Sequence, residues 1–350
     1  MFEIILTACL ATTDICAERM IPARYPDLAA CKVDMPKRTA KWTAAHEGLT
    51  VSSPACIASD ELADHVAPLA VTQVASGVFV HKPPHGIPNP DNAGDLANLG
   101  FVIGEKSVAV IDAGGSRHVA ERLYSAIRAR TDLPISAMIL THVHPDHSLG
   151  ASLFQEAGAT VIGHPNLELS LANRAESYSS AMQRLMGPKA YLGTRIVGPD
   201  ETSVLTVDLG ERALTISYIS EIAHSDTDLT VMDQQTGILF AGDLVFAGHT
   251  PALDGSILGW QRVLDEMTRR TFTRVVPGHG PPALAWPGGA DAMRAYLSAI
   301  TEETRAAIAN GEPMSRAVRH IGEQERSNWE LFDEFNQRNA TTAYKELEWE

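Results

Sequence analysis

Between Val71 and Ala309 the apolar positions fall into short β-branched runs closed by turn residues, alternating with longer stretches of helical spacing. Such runs are strand signals, and they predict strands at 77–81, 98–103 and 107–111. The last two are joined by a turn at Gly104-Glu105-Lys106. Val119, Leu123 and Ile127 recur every fourth residue, which predicts a helix over 118–130. A buried strand follows at 135–140, then a polar loop and a helix at 148–157. The order then repeats, with strands at 204–207, 214–219, 229–232 and 238–241, a helix at 256–269, a strand at 274–276 and a helix at 290–309. The tail, 329–350, has helical spacing through Leu331, Phe332, Phe335 and Leu347. Hairpins followed by helices, twice over, predict an α/β (α+β) fold of two packed sheets with helices outside.

Residues 1–66 read as a separate unit. Their periodicity is weak and broken by Pro22, Pro26, Pro36 and Pro54, leaving only a short helix at 39–46. The expected organisation is an N-terminal appendage (1–66), a catalytic domain (67–310) and a C-terminal helical extension (311–350). All four cysteines, Cys9, Cys16, Cys31 and Cys56, lie in the appendage. An even number in so short a segment predicts two local disulfides and an oxidising compartment. The spacing leaves all three pairings open, and it lacks the C-x-x-C knuckle of a zinc site. Ile4 to Leu10 is apolar but short, and Glu3 precedes it where a secretory leader carries basic residues. The expectation is a periplasmic chain from which a signal peptide has been removed; the alternative is a cytoplasmic chain with reduced thiols.

The formal net charge of −15 narrows the partners. Nucleic-acid affinity rests on lysine and arginine displacing counterions, so this balance argues against a nucleic-acid partner. It equally disfavours an anionic membrane surface. No run approaches the roughly 18 apolar residues of a membrane span. A small-molecule substrate is the remaining expectation.

The segment Thr141-His142-Val143-His144-Pro145-Asp146-His147 holds four metal-ligand side chains directly after a predicted strand. Alternate residues at a strand end project to one side, so His142 and His144 can face one ion. Pro145 then turns the chain and aims Asp146 and His147 at a second position. Imidazoles with a carboxylate suit zinc, with iron or manganese as other ions such donors accept. His224, before the strand at 229–232, Asp243, after the apolar run at 238–241, and His279, between Gly278 and Gly280, are candidates to complete the shell.

In type and order these residues resemble the metallo-β-lactamase superfamily, over roughly Val71 to Ala309. The resemblance implies a four-layer αβ/βα sandwich with two zinc ions at one edge. It places His142, His144 and His224 on the first ion and Asp146, His147 and His279 on the second, with Asp243 bridging. Asp112, in Val110-Ile111-Asp112-Ala113-Gly114, becomes a candidate to support the ligands. The implied reaction is hydrolysis of an ester, thioester, lactone or amide by a metal-bound hydroxide, with Asp146 catalytic. Asp243 resembles hydroxyacylglutathione hydrolases, whereas zinc β-lactamases usually carry cysteine or serine there, which makes β-lactamase activity the less favoured. The cysteine-bearing leader, Asp254-Gly255-Ser256 to Gly259-Trp260, and the ending from Arg338-Asn339-Ala340 to Glu350 resemble the quinoprotein relay system metallohydrolases. That adds a periplasmic quinoprotein partner to the expectation. Its competitors are an accessory factor that binds a quinoprotein dehydrogenase and an iron-dependent sulfur oxidation. Trp260 on its own reads as helix packing.

Overall fold

The computed structural model describes residues 1–350. Strand β1 (Phe2–Leu10), β2 (Cys16–Tyr25), helix α1 (Leu28–Ala45) and β3 (Leu49–Ala58) build an antiparallel sheet in the order β2-β1-β3. Along β1, Ile4, Leu6 and Ala8 bury one face with Cys31 and Trp42 of α1, while Ile5 joins the core with Val119, Leu123 and Ile127. Both faces are covered over Glu3–Leu6, which is why Ile4-Ile5-Leu6 shows no alternation with polar residues. Cys9 and Cys16 face each other across the β1–β2 hairpin and are joined; Cys31 and Cys56 tie α1 to β3. The expected helix at 39–46 is in fact the second half of an 18-residue helix. Asp27 caps it by accepting from the Ala30 N–H at 2.8 Å. Pro36 lies inside it and only Cys31 and Trp42 are buried, so its pattern carries little amphipathic signal.

After α2 (Leu62–His65), a first half runs β4 (Val71–Ala75), β5 (Val78–His81), β6 (Leu99–Ile103), β7 (Val108–Ile111), α3 (Arg117–Arg128), β8 (Ile135–Ile139), α4 (Pro145–Ser148), α5 (Ala151–Glu156) and β9 (Thr160–Ile162). Its six strands pair in chain order, antiparallel to β7 and parallel from there to β9. Helix α6 (Leu167–Tyr191), which the periodicity missed, leads to the second half. It buries little, is polar over much of its length, and bends at Gly187, whose φ of +78° precedes Pro188.

The second half comprises β10 (Thr206–Asp208), β11 (Ala213–Tyr218), β12 (Leu229–Asp233), β13 (Ile238–Phe246), α7 (Ile257–Arg269), β14 (Arg274–His279), β15 (Leu284–Ala285), α8 (Asp291–Ala309), α9 (Met314–Ala317) and α10 (Phe332–Leu347). Its strands also pair in chain order, with β13 and β14 parallel. The two six-stranded sheets face each other through Val80, Val102, Ile111 and Ile139 on one side and Leu214, Ile216, Val231 and Phe240 on the other. Helices α3 and α5 cover the outer face of the first sheet, and α7, α8 and α10 that of the second. The result is a four-layer αβ/βα sandwich with a disulfide-bearing N-terminal sheet against α3. Arg117 fastens that sheet: its guanidinium, fully buried, meets Glu121 at 3.1 Å, Glu156 at 2.8 Å and the Met20 carbonyl at 2.7 Å.

Candidate metal centre

Strand β8 stops at Ile139, and the following loop carries His142 and His144 to the edge of the sandwich. Pro145 opens the one-turn helix α4, which turns Asp146 and His147 inward. His224 comes from the loop before β12. Asp243 sits within β13, which continues three residues past the carboxylate rather than ending at Ala241; the register with β14 is irregular on both sides of Gly242. His279 ends β14. A side chain on Gly278 would overlap the Asp243 carboxylate, so only glycine allows His279 and Asp243 to come this close.

All seven residues meet, in two groups. His142, His144, His224 and Asp243 form one and Asp146, His147 and His279 the other, with the donor atoms of each within 4.8 Å of one another. His144 Nδ1 lies 3.1 Å from His142 Nε2 and 2.9 Å from His224 Nε2. Asp243 stands between the groups: its Oδ2 is 3.4 Å from His224 and 3.6 Å from His142, and its Oδ1 is 3.1 Å from His147 and 3.5 Å from His279. Asp146 Oδ2 is 3.4 Å from His279 Nε2.

Converging imidazole lone pairs repel unless a cation lies between them, and this is the arrangement nitrogen-ligated metals require. The buried His147 Nε2 and Asp243 Oδ1 have no aligned hydrogen-bond partner within the protein. The donor set therefore fits a pair of metal ions.

Behind the donors, hydrogen bonds fix ring orientation. Asp112, held at a φ of +61°, accepts from the Thr141 N–H, the Thr141 hydroxyl and His147 Nδ1, each at 2.8 Å. His142 Nδ1 donates to Thr141 Oγ1 at 3.0 Å. These contacts leave Nε2 of both rings facing the centre.

The electrostatics differ between the groups. Burial drives His142 well below the ordinary imidazole range and His224 down to about 3, so both are neutral and ready to ligate. Burial also disfavours charge on His147 and His279. The carboxylates of Asp243 and Asp112, and of Asp243 and Asp146, outweigh it, holding His147 well above the usual range and raising His279 to about 9. Asp146 and Asp243 are likewise buried, yet the surrounding imidazoles hold both below the usual carboxylate range.

Residues 93–279 match the metallo-beta-lactamase superfamily. The chain belongs to that superfamily. Among its relatives, the acyl-coenzyme A thioesterase MBLAC2 of Bos taurus is 29% identical over 219 residues, and that of Homo sapiens 28% over 219 residues. Each alignment covers 53% of this chain and 74% of the relative. The stereoselective inverting sec-alkylsulfatase Pisa1 from Pseudomonas sp. has the same fold at 12% identity and a TM-score of 0.62, over 83% of this chain and 52% of that one. Superfamily membership and these donors make the chain a metal-dependent hydrolase. No helix is long and apolar enough to cross a membrane.

The centre opens into a cavity of about 650 Å³. Its floor is His144, Asp146, Asp243 and His279. One wall is a stripe of α6, Arg174, Ser177, Tyr178, Ala181, Met182 and Leu185, at the spacing of a single helix face. Ile87 and Leu96 line it as well, with Phe335 and Arg338 of α10. Of these wall residues the sequence pattern points only to Phe335 and Arg338, because α6 carries no periodic signature. Trp260 is buried, donates from Nε1 to the Leu244 carbonyl at 3.1 Å and packs 5.0 Å from the His224 ring, so its packing reading holds and it also abuts the centre.

Proposed function

We propose that this chain is a binuclear zinc hydrolase that cleaves an acyl ester or thioester, in an oxidising compartment and in the service of a periplasmic quinoprotein oxidation system. His142, His144 and His224 would hold one ion, Asp146, His147 and His279 the other, and Asp243 would bridge them. The observation that carries the reading is the convergence of these seven donors, four of which (His144, Asp146, Asp243 and His279) floor a cavity whose wall turns apolar away from them. When bound, the ions supply Lewis acidity and lower the pKa of a water molecule toward neutrality. The chain's residues do the rest. Asp146 turns Oδ2 toward His147 and His279, which leaves its other oxygen to accept a proton from the attacking water and return it to the leaving sulfur or oxygen. A carbon–oxygen bond forms, the acyl–sulfur or acyl–oxygen bond breaks, and the proton ends on the leaving group. Tyr178, Met182 and Leu185 with Ile87 and Leu96 offer the acyl chain an apolar path. Arg174 and Leu185 are eleven residues apart, about 16 Å along the helix, a length that suits an extended acyl chain.

The relatives named as acyl-coenzyme A thioesterases support the thioester. The two disulfides support an oxidising compartment. On this reading residues 67–310 carry the chemistry, 1–66 are an appendage, and 311–350 an extension that lends Phe335 and Arg338 to the substrate cavity.

The test is elemental analysis of the purified protein together with a panel of acyl thioesters, esters, lactones and β-lactams. Two zinc ions per chain are expected, with thioester or ester kcat/KM rising with acyl length, because each methylene buried against the wall is worth about 0.8 kcal/mol. A protein holding two ions that hydrolyses only β-lactams, or nothing in the panel, would sink the proposal.

A further inference from the structure

The segment Asp254-Gly255-Ser256 to Gly259-Trp260 and the polar residues of α10 lie outside the seven donors, yet they converge on them. Because His144 turns Nδ1 toward His142 and His224, its proton must sit on Nε2. Asp254 Oδ2 accepts that N–H at 3.1 Å, and also lies 3.0 Å from Arg174 Nη1 on α6. The same residue's backbone N–H donates to the His224 carbonyl at 3.2 Å, and the Ser256 N–H donates to the Ala223 carbonyl at 2.9 Å. A Cβ on Gly255 or Gly259 would overlap the carbonyl oxygens of Ala223 or Ile222, so the two backbones are in direct contact.

From the other side, α10 holds this segment. Asn339 accepts from the Leu253 N–H at 3.0 Å and donates to the Pro251 carbonyl at 2.6 Å. Glu346 accepts from the Ser256 hydroxyl at 2.6 Å and the Ile257 N–H at 2.8 Å, occupying the N-terminus of α7. Two residues near the end of the chain thereby set the position of a loop that touches two of the three converging imidazoles.

We infer that Asp254 is a positioning residue for His144, and that Asn339 and Glu346 of the C-terminal helix hold it in place, so the His142–His144–His224 position is built in part by the chain's last helix. The inference rests on the reading above that these imidazoles hold an ion. A carboxylate behind a ligating imidazole fixes its tautomer and raises its basicity, and its loss typically weakens metal binding about 10- to 100-fold. The centre would then depend unevenly on this contact: one position loosens and the other does not.

The experiment uses the full chain loaded with cobalt(II) and titrated with a chelator, its two ions distinguished by their visible spectra. Imidazole nitrogen NMR of the metal-free protein reads the His144 tautomer. Asp254→Ala should weaken one ion about 10- to 100-fold, leave the other within a few-fold, and remove the His144 Nε2–H signal. Asp254→Asn keeps an acceptor oxygen and should restore most of both. Glu346→Gln should shift the same ion in the same direction by a smaller factor. Asp254 is part-exposed, so its variants test the idea even where those in α10 fail to fold. A folded Asp254→Ala protein with wild-type affinity for both ions, or an equal loss at both, would overturn the inference while leaving the hydrolase reading intact. A wild-type chain that takes up no ion would overturn both.

Discussion

Glu3 offers a measurement independent of the metal centre. Its side chain is fully buried where the N-terminal sheet meets α3. The Tyr124 hydroxyl donates to its Oε1 at 2.9 Å and the Ala23 N–H to its Oε2 at 3.1 Å. Burial raises this carboxyl from 4.5 to about 7, against those two donors and the nearby Arg128. The folded chain therefore binds this proton more tightly than the unfolded chain. The contribution is fully present below about pH 4.5, declines as the unfolded chain ionises, and is lost once pH passes about 7. A gap of about 2.5 units at 1.36 kcal/mol each comes to about 3 kcal/mol. Most of it, about 2 to 3 kcal/mol, falls between pH 5 and pH 8. Glu3→Gln removes the titration while keeping the shape. Urea unfolding of both proteins across that range, with disulfides intact and hydrogen exchange of the Ile4–Leu6 amides as a local probe, should show the wild type losing this much stability relative to the variant. Parallel curves, within about 0.5 kcal/mol, would refute the argument and mean that the carboxylate is solvated through contacts not apparent in the packing.

Asp243→Ala removes the one carboxylate near both imidazole groups, so metal-to-protein ratios after gel filtration should fall below those of wild type at both positions; a folded variant that keeps two ions would exclude the bridging role. Arg117→Ala leaves the Met20 carbonyl without its cation, leaves Glu156 only Arg195 at 3.7 Å, and weakens the pairing of Glu121, and breaking a buried pair of this kind costs about 3–5 kcal/mol. A large loss of unfolding free energy is expected there with metal content retained, and a loss under about 1 kcal/mol would show that Arg19, 3.4 Å from Glu121, and Arg195, 3.7 Å from Glu156, suffice.

The parts of the fold that were legible are those where one face of an element is buried and the other is not. In α3, Val119, Leu123 and Ile127 are all fully buried, and the spacing announced them. Helix α6 gave no such signal, because one flank lines a cavity of mixed polarity and the other meets solvent. The N-terminal sheet was hidden for the opposite reason: β1 is covered on both faces over Glu3–Leu6, and prolines in β2, α1 and β3 obscured the pattern. At the centre, four donors were readable because they lie within six residues. The grouping of His224, Asp243 and His279 with them follows from the geometry, although their type and order had suggested it. The partners that orient the donors were less accessible. Asp112 stands out through its motif, and Asp254 and Asn339 lie in segments that carry the quinoprotein relay resemblance, but their roles, like those of Arg174 and Glu346, depend on contacts across 80 residues or more, and nothing local distinguishes such a carboxylate or amide from one facing solvent.

Each donor group draws on both halves of the sandwich: His142 and His144 against His224 and Asp243 in one, Asp146 and His147 against His279 in the other. An ion seated in either group is therefore a stitch across the seam between two sheets, added to the apolar side chains between them and to hydrogen bonds such as Arg212 Nη1 to the Ile103 carbonyl and Arg274 Nη1 to the Val74 carbonyl. Neither half, made alone, has the donors for a complete centre, and two separately made halves would recover one only by finding each other first. Free metal concentration then becomes a lever on the joining of the halves as well as on catalysis, since ligand bound only to the assembled form adds RT ln(1 + [L]/Kd) to its stability. In a metal-starved compartment the seam would lose that increment and rest on its apolar core and its hydrogen bonds alone.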